Sequence, residues 1–132
     1  MSKKAVVLVV EDETLIRMSA IQMLEDAGFA TVEAGNADDA MKILELRSDI
    51  RAVFTDINMP GTFDGMRLAC LIRDRWPPIH LIVTSGLMLP SADDLGVIGR
   101  FIPKPYRMED VIIILHRLLD GNAPLDPGIK AA

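Results

Sequence analysis

Six apolar residues in a row, Ala5-Val-Val-Leu-Val-Val10, run into three acids, Glu11-Asp12-Glu13. A short, unbroken, β-branched run of this kind is the pattern of a strand covered on both faces. Thr14 to Ala27 then takes helical spacing, with Gly28 placed as the stop. Thr31 to Ala34 reads as a weaker strand. Asn36 is placed as an N-cap, and Ala37, Ala40, Met41 and Leu44 follow at i, i+3, i+4 and i+7. Residues 50 to 55 predict a third strand, and Gly65 to Trp76 a helix that Pro77-Pro78 ends. His80 to Ser85 is a fourth strand and Arg100 to Ile102 a short fifth. Arg107 to Leu119 is the last helix, with Val111, Ile114, Leu115 and Leu118 on one face.

Five strands alternating with helices predict an α/β fold whose parallel sheet is covered on both sides. The connection between the fourth and fifth strands departs from that rhythm. It carries Gly86, Pro90 and Gly96, with only Ser91-Ala-Asp-Asp-Leu95 to form a helix. In a helix interior a glycine costs about 1 kcal/mol and a proline about 3. The fourth helix is therefore expected to be short or mobile. The turn-rich end, Gly121 to Ala132, is expected to be a flexible tail, leaving one domain over residues 1–120.

The composition narrows the function. The chain has 132 residues, half of them hydrophobic and a quarter charged, which fits one globular domain with a single core. The net charge of -5 lacks the basic stripe of a dedicated nucleic-acid binder, so direct nucleic-acid contact is not expected. No apolar run approaches the roughly 20 residues that span a bilayer, and no membrane association is expected. The six-residue run near the start is too short for a secretory signal. Cys70 is the single cysteine, so an internal disulfide and a thiolate metal cluster are both ruled out, and a cytoplasmic location is the expectation. Cys70 lies among Leu68, Ala69, Leu71 and Ile72 and reads as a small buried hydrophobe. The eight methionines read as packing, and His80 and His116 lack partners at metal-ligand spacing.

The candidate chemistry lies at the strand ends, where open parallel sheets bind ligands. Glu11 and Asp12 follow the first strand, Asp56 ends the third, Thr84-Ser85 the fourth, and Lys104 comes just after the fifth. An acid at a strand end is commonly only a solvated loop residue. The joint placement is what carries weight. Clustered carboxylates repel unless a cation neutralises them, and one or two carboxylates with waters and phosphate oxygens suit Mg²⁺. A lysine ammonium and a hydroxyl beside that ion can offset the charge of a phosphoryl group. Asp56 then has the chemistry of a nucleophile that forms an acyl phosphate.

At these residues the chain resembles the receiver domains of two-component response regulators. "VLVVEDE" matches that family's first strand and acidic pair, and "VFTDINMPGTFDG" its phosphoacceptor loop. "LIVTSG" and "FIPKPY" match the ends of its fourth and fifth strands, and the likeness runs over about residues 4 to 120. The resemblance implies a flavodoxin-like, doubly wound sheet in the order 2-1-3-4-5. It implies that Asp56 accepts a phosphoryl group from a histidine kinase or histidine phosphotransfer protein. Glu11, Asp12 and Asp56 would serve Mg²⁺, with the backbone carbonyl of Asn58 as a further ligand. Thr84 would bond a phosphoryl oxygen and Lys104 would pair with the phosphate. Thr84 and Phe101 would form the conformational switch, Phe101 lacking the hydroxyl that a tyrosine would bring. Lys104-Pro105 would be a cis peptide.

By the same resemblance the output is binding to an unidentified protein partner, and the chain is a phosphoacceptor rather than an enzyme. Transfer to Asp56 and loss of the phosphoryl group would be self-catalysed. Surplus apolar residues on the last helix, Ile112, Ile113 and Leu119, leave room for a homodimer through the last strand and helix. Two other readings stand beside this one. A Mg²⁺-dependent phosphohydrolase of the haloacid dehalogenase type also uses a strand-end aspartyl nucleophile, but expects an acid where Asn58 stands. A receiver-like interaction module that is never phosphorylated is the other. Pro103 removes a backbone donor just ahead of Lys104.

Overall fold

The computed structural model describes residues 4–56, 65–85 and 100–120. Strands β1 (Val6–Val10), β2 (Ala30–Ala34), β3 (Ile50–Asp56), β4 (His80–Ser85) and β5 (Arg100–Pro103) form one parallel sheet in the order β2-β1-β3-β4-β5. Helices α1 (Thr14–Asp26), α2 (Ala37–Leu46), α3 (Gly65–Arg75) and α4 (Met108–Asp120) cover it. This is the flavodoxin-like order the sequence suggested. The short or mobile helix expected between β4 and β5 falls on residues 86–99, outside the described residues. The tail from Gly121 falls outside them too.

Side-chain alternation along the strands sorts the core into two layers. Leu8, Val10, Val53, Leu81 and Val83 pack with Ala37, Ala40 and Leu44 of α2 and with Leu68, Ala69 and Ile72 of α3. Val7, Val9, Ala52, Phe54 and Ile82 pack on the opposite face with Ala20 and Leu24 of α1 and with Val111 and Leu115 of α4. Both faces of β1 and β3 are thus dry, which is why those strands carry few polar residues before their ends.

Local signals in the sequence account for most boundaries. Gly28 has φ +101°, the left-handed conformation that ends α1 without a side-chain penalty. Asn36 Oδ1 accepts the Asp39 backbone N–H at 2.7 Å, capping α2 as its position suggested. Trp76 and Pro77-Pro78 follow α3 at once. A register shift between Val6 and Val7 marks an irregularity opposite Arg51, whose Nη2 donates to the Leu119 carbonyl in the last turn of α4. Pro103 ends β5, which among the described residues is an edge strand paired with β4, where a proline is tolerated.

Two expectations are corrected. Cys70 is exposed, not buried. The stripe of α3 that meets the sheet is Leu68, Ala69 and Ile72, and a residue two positions from Leu68 turns about 200° away from it. Its apolar sequence neighbours are therefore not its spatial ones. Met18 is 57% exposed on α1, so not every methionine packs in the core. His116 does pack, with its ring 4.8 Å from that of Phe29.

Candidate functional site

The strand order reverses between β1 and β3, and the crevice above that point is where a doubly wound sheet holds ligands. The register fills it with chemistry. Val10 pairs with Thr55, so Glu11 and Asp56 leave their strands side by side. Asp56 pairs with Thr84 in turn, and Ser85 with Pro103, which delivers Lys104 to the same edge. Four strands of ordinary apolar sequence thus bring together groups spread over more than ninety residues.

Asp56 is buried at 5% exposure, yet Lys104 Nζ reaches its Oδ2 at 2.5 Å. Burial pulls the Lys104 ammonium down, but its hydrogen bond to Asp56 and the charges of Asp56 and Glu11 outweigh that and raise it above 10.5. Glu11 is buried as well, and its pKa is pushed up from 4.5 to about 7. Desolvation is the main cause, followed by a hydrogen bond shared with the Asp12 carboxyl and the charge of Asp56. Lys104 and the Glu13 backbone N–H pull the other way. Asp12 is exposed at the rim.

A cavity of about 10 Å³, room for one water, lies under these groups. Glu11, Thr55, Asp56 and Thr84 line it together with Ile16, Ala20, Phe54 and Tyr106. Glu11 Oε2 and Thr84 Oγ1 are both buried there without a hydrogen-bond partner among the described residues. A buried carboxylate oxygen without a donor is costly, and a cation beside Glu11 would satisfy it. Among the described residues no three His, Cys, Asp or Glu side chains form a ready-made metal cage. Mg²⁺ does not need one: two carboxylates with waters and phosphate oxygens suffice, and the hard-oxygen set of Glu11, Asp12 and Asp56 fits that ion. Asn58, the other expected ligand, lies outside the described residues.

Not every expected residue converges. Phe101 pairs with Val83 and packs half-buried against the α2–α3 layer. Thr84 pairs with Ile102 and lines the cavity on the α1 side. The two expected switch residues therefore belong to opposite faces of the sheet. The Lys104–Pro105 peptide is cis.

Two residues at the site went unnoticed in the sequence. Tyr106 forms a wall of the cavity and meets Phe54 edge-on, ring centroids 5.6 Å apart. Burial, with Glu11 and Asp56 nearby, raises its phenol above 10. Arg17 reaches back from α1 to the Glu11 carbonyl at 2.7 Å. Tyr106 is signalled by its place directly after Lys104-Pro105, whereas nothing in the spacing of Arg17 announces its contact.

Beside the crevice, α1 and the segment after β5 enclose an open groove of about 650 Å³ whose lining includes Leu15, Ile16, Ser19, Lys104, Pro105 and Met108. Leu15 is 79% exposed and Ile16 44%, unusual for large apolar side chains next to charged ones. No helix among the described residues is long and apolar enough to cross a membrane.

Comparison with known proteins agrees with this geometry. The family model of the response regulator receiver domain matches residues 7–116. The chain is 30% identical over 128 residues to the sensor kinase CckA of Brucella abortus, covering 91% of this chain and 13% of that protein. It is 33% identical over 115 residues to a putative NtrX-like response regulator of Rickettsia felis, covering 84% of this chain and 24% of the relative. It therefore spans a quarter or less of the length of these two relatives. A receiver domain protein (CheY-like) from Methanospirillum hungatei superimposes with a TM-score of 0.80 at 22% identity, over 90% of this chain and 96% of that one. The chain belongs to the response regulator receiver domain family of two-component signalling.

Proposed function

We propose that Asp56 is the phosphoacceptor of this receiver, taking a phosphoryl group from a histidine kinase or histidine phosphotransfer protein with Mg²⁺ and so regulating a protein partner. The observation that carries the reading is the buried Asp56 carboxylate, with Glu11 beside it and Lys104 at 2.5 Å. In the transfer an Asp56 carboxylate oxygen attacks phosphorus as the P–N bond to the donor imidazole breaks, and the bonding electron pair leaves with the ring nitrogen. Mg²⁺ would supply charge neutralisation for the phosphoryl oxygens. Glu11, Asp12, Asp56 and the Asn58 carbonyl are the groups proposed to hold it. Lys104 moves from Asp56 toward the incoming phosphoryl oxygens, and the Thr84 hydroxyl gains an acceptor for its unused proton.

The groove beside the crevice supports a protein donor. A phosphohistidine presented on a helix needs an apolar surface next to Asp56, and Leu15, Ile16, Pro105 and Met108 offer one. A homodimer through β5 and α4 has less to rest on. Of the three surplus residues, Ile112 and Leu119 are packed against the domain's own core. The Phe101 switch remains part of the proposal, with the ring starting from the α2–α3 side.

Incubation with acetyl phosphate and Mg²⁺, read by intact mass, tests the proposal. One added phosphoryl group, absent in Asp56→Asn and without Mg²⁺, is the expected result. Steady turnover of diverse phosphate esters would instead identify a phosphohydrolase. No adduct from acetyl phosphate or from any kinase would leave an unphosphorylated interaction module.

A further inference from the structure

The acidic loop after β1 must present two carboxylates at a fixed spacing, yet its sequence gives it little to hold it. Glu13 at the N-cap of α1 makes no side-chain cap, and the first turn of α1 carries no acid to favour the helix dipole. The backbone of Glu11 is nevertheless tied on both sides. Its N–H donates to the Ala34 carbonyl at 3.1 Å, extending the β1–β2 ladder by one step. Its carbonyl accepts from Arg17 Nη1 at 2.7 Å. The same guanidinium is anchored through Nε to Glu33 Oε1 of β2 at 2.9 Å and passes over Gly35, where an added methyl would touch Nη1 at 3.4 Å. The Arg17 side chain is only 16% exposed, so its bond to the Glu11 carbonyl is partly shielded, while the bond to Glu33, itself 57% exposed, meets solvent.

We infer that Arg17 is a positioning residue that sets the divalent-cation affinity of the acidic loop by clamping the Glu11 carbonyl to Glu33. The inference rests on the phosphoacceptor reading only in taking Glu11 and Asp12 as the metal's carboxylates. The clamp closes a circuit: Glu33 and Ala34 of β2 hold the guanidinium and the Glu11 N–H, and Arg17 holds the Glu11 C=O. With that carbonyl released, the peptide between Glu11 and Asp12 can rotate, and the two carboxylates lose their common setting. A planar, forked guanidinium can make both bonds at once, whereas an ammonium at the same place reaches one of them. Arg17 is also a cation near a cation site. If charge were all that mattered, removing it would tighten metal binding; positioning predicts the opposite sign.

Calorimetric Mg²⁺ titration of the full chain decides between these. Arg17→Met is expected to weaken Mg²⁺ binding about tenfold, the low end of the range for outer-sphere partners of metal ligands. Arg17→Lys should recover only part of the loss, and Glu33→Gln should weaken binding less than Arg17→Met. Transfer from acetyl phosphate should slow at limiting Mg²⁺ and return to within about twofold of the wild-type rate at saturation, the split that a lost ligand setting gives. Unchanged or tighter Mg²⁺ binding in Arg17→Met overturns the inference, as does full recovery by lysine. If Arg17→Met does not fold, as read by its urea transition without metal, Glu33→Gln carries the test, and wild-type Mg²⁺ affinity in that variant overturns the inference. Failure of the wild-type chain itself to bind Mg²⁺ or accept a phosphoryl group would count against the phosphoacceptor reading instead.

Discussion

Lys104 Nζ and Asp56 Oδ2 stand 2.5 Å apart across the ends of β5 and β3, the ammonium one-third exposed and the carboxylate almost fully buried. Lysine here does what a metal would otherwise do, holding negative charge in a dry crevice. Removing it should therefore have two effects of opposite sign. Lys104→Met is expected to lower stability in EDTA by about 1–2 kcal/mol, less than a fully buried pair because one side meets solvent. It should also tighten Mg²⁺ binding about three- to tenfold, since a competing cation is gone. Urea denaturation and calorimetry check the two parts, and acetyl phosphate transfer should fall despite the tighter metal.

Glu11 gives the protein a pH dependence that runs against the usual direction for an acid. Its folded pKa is raised to about 7 from 4.5, so between those values the native state keeps a proton that the unfolded chain has lost. Stability from this group is fully present below about pH 4.5 and is lost as pH rises through 7. The loss is on the order of 1–2 kcal/mol once solvent screening of the carboxyl is allowed for. Glu11→Gln cannot titrate, and its stability advantage over wild type should grow from pH 5 to pH 7.5. Saturating Mg²⁺ should remove most of the difference. Urea midpoints at the two pH values, with and without Mg²⁺, are the measurement; parallel curves for wild type and Glu11→Gln would contradict it.

The sheet was legible in the sequence because its signals are local. Ala5 to Val10 and residues 50 to 55 carry the pattern of buried strands, Gly28 and Asn36 mark helix ends, and the acids and lysine fall at strand ends where topology gathers them. What the sequence hid depends on direction rather than position. Cys70 has apolar neighbours along the chain but points away from the core. Arg17 looks like an ordinary helix-surface charge until the fold sets the Glu11 carbonyl and Glu33 within its reach. Whether Thr84 and Phe101 share a face follows from strand parity across β4 and β5, which requires the register to be known.

Leu15 tests the proposed donor surface. It is 79% exposed on the first turn of α1 and lines the groove without touching the cavity under Asp56. Leu15→Asp puts a charge into an apolar contact and should slow phosphotransfer from a histidine kinase or phosphotransfer protein about tenfold or more, the scale of an interface anchor. Transfer from acetyl phosphate, which needs no docking surface, should stay within about twofold. Equal slowing with both donors would place the effect in the crevice and not in recognition.

Thr84 and Phe101 offer a direct test of the switch because the unphosphorylated protein keeps them on opposite faces. Thr84 lines the cavity on the α1 side with its hydroxyl unpartnered among the described residues, and Phe101 leans on the α2–α3 layer. Lying on opposite faces of the sheet, Thr84→Ala and Phe101→Ala should be additive in stability to within about 0.5 kcal/mol. In the proposed switch, phosphorylation would give the Thr84 hydroxyl an acceptor, and the aromatic ring would then have to respond. A double-mutant cycle in the presence of Mg²⁺ and the phosphoryl mimic beryllium fluoride should show a coupling of about 1 kcal/mol or more. Additivity that persists with the mimic bound would separate the two residues and leave Phe101 as core packing for β5.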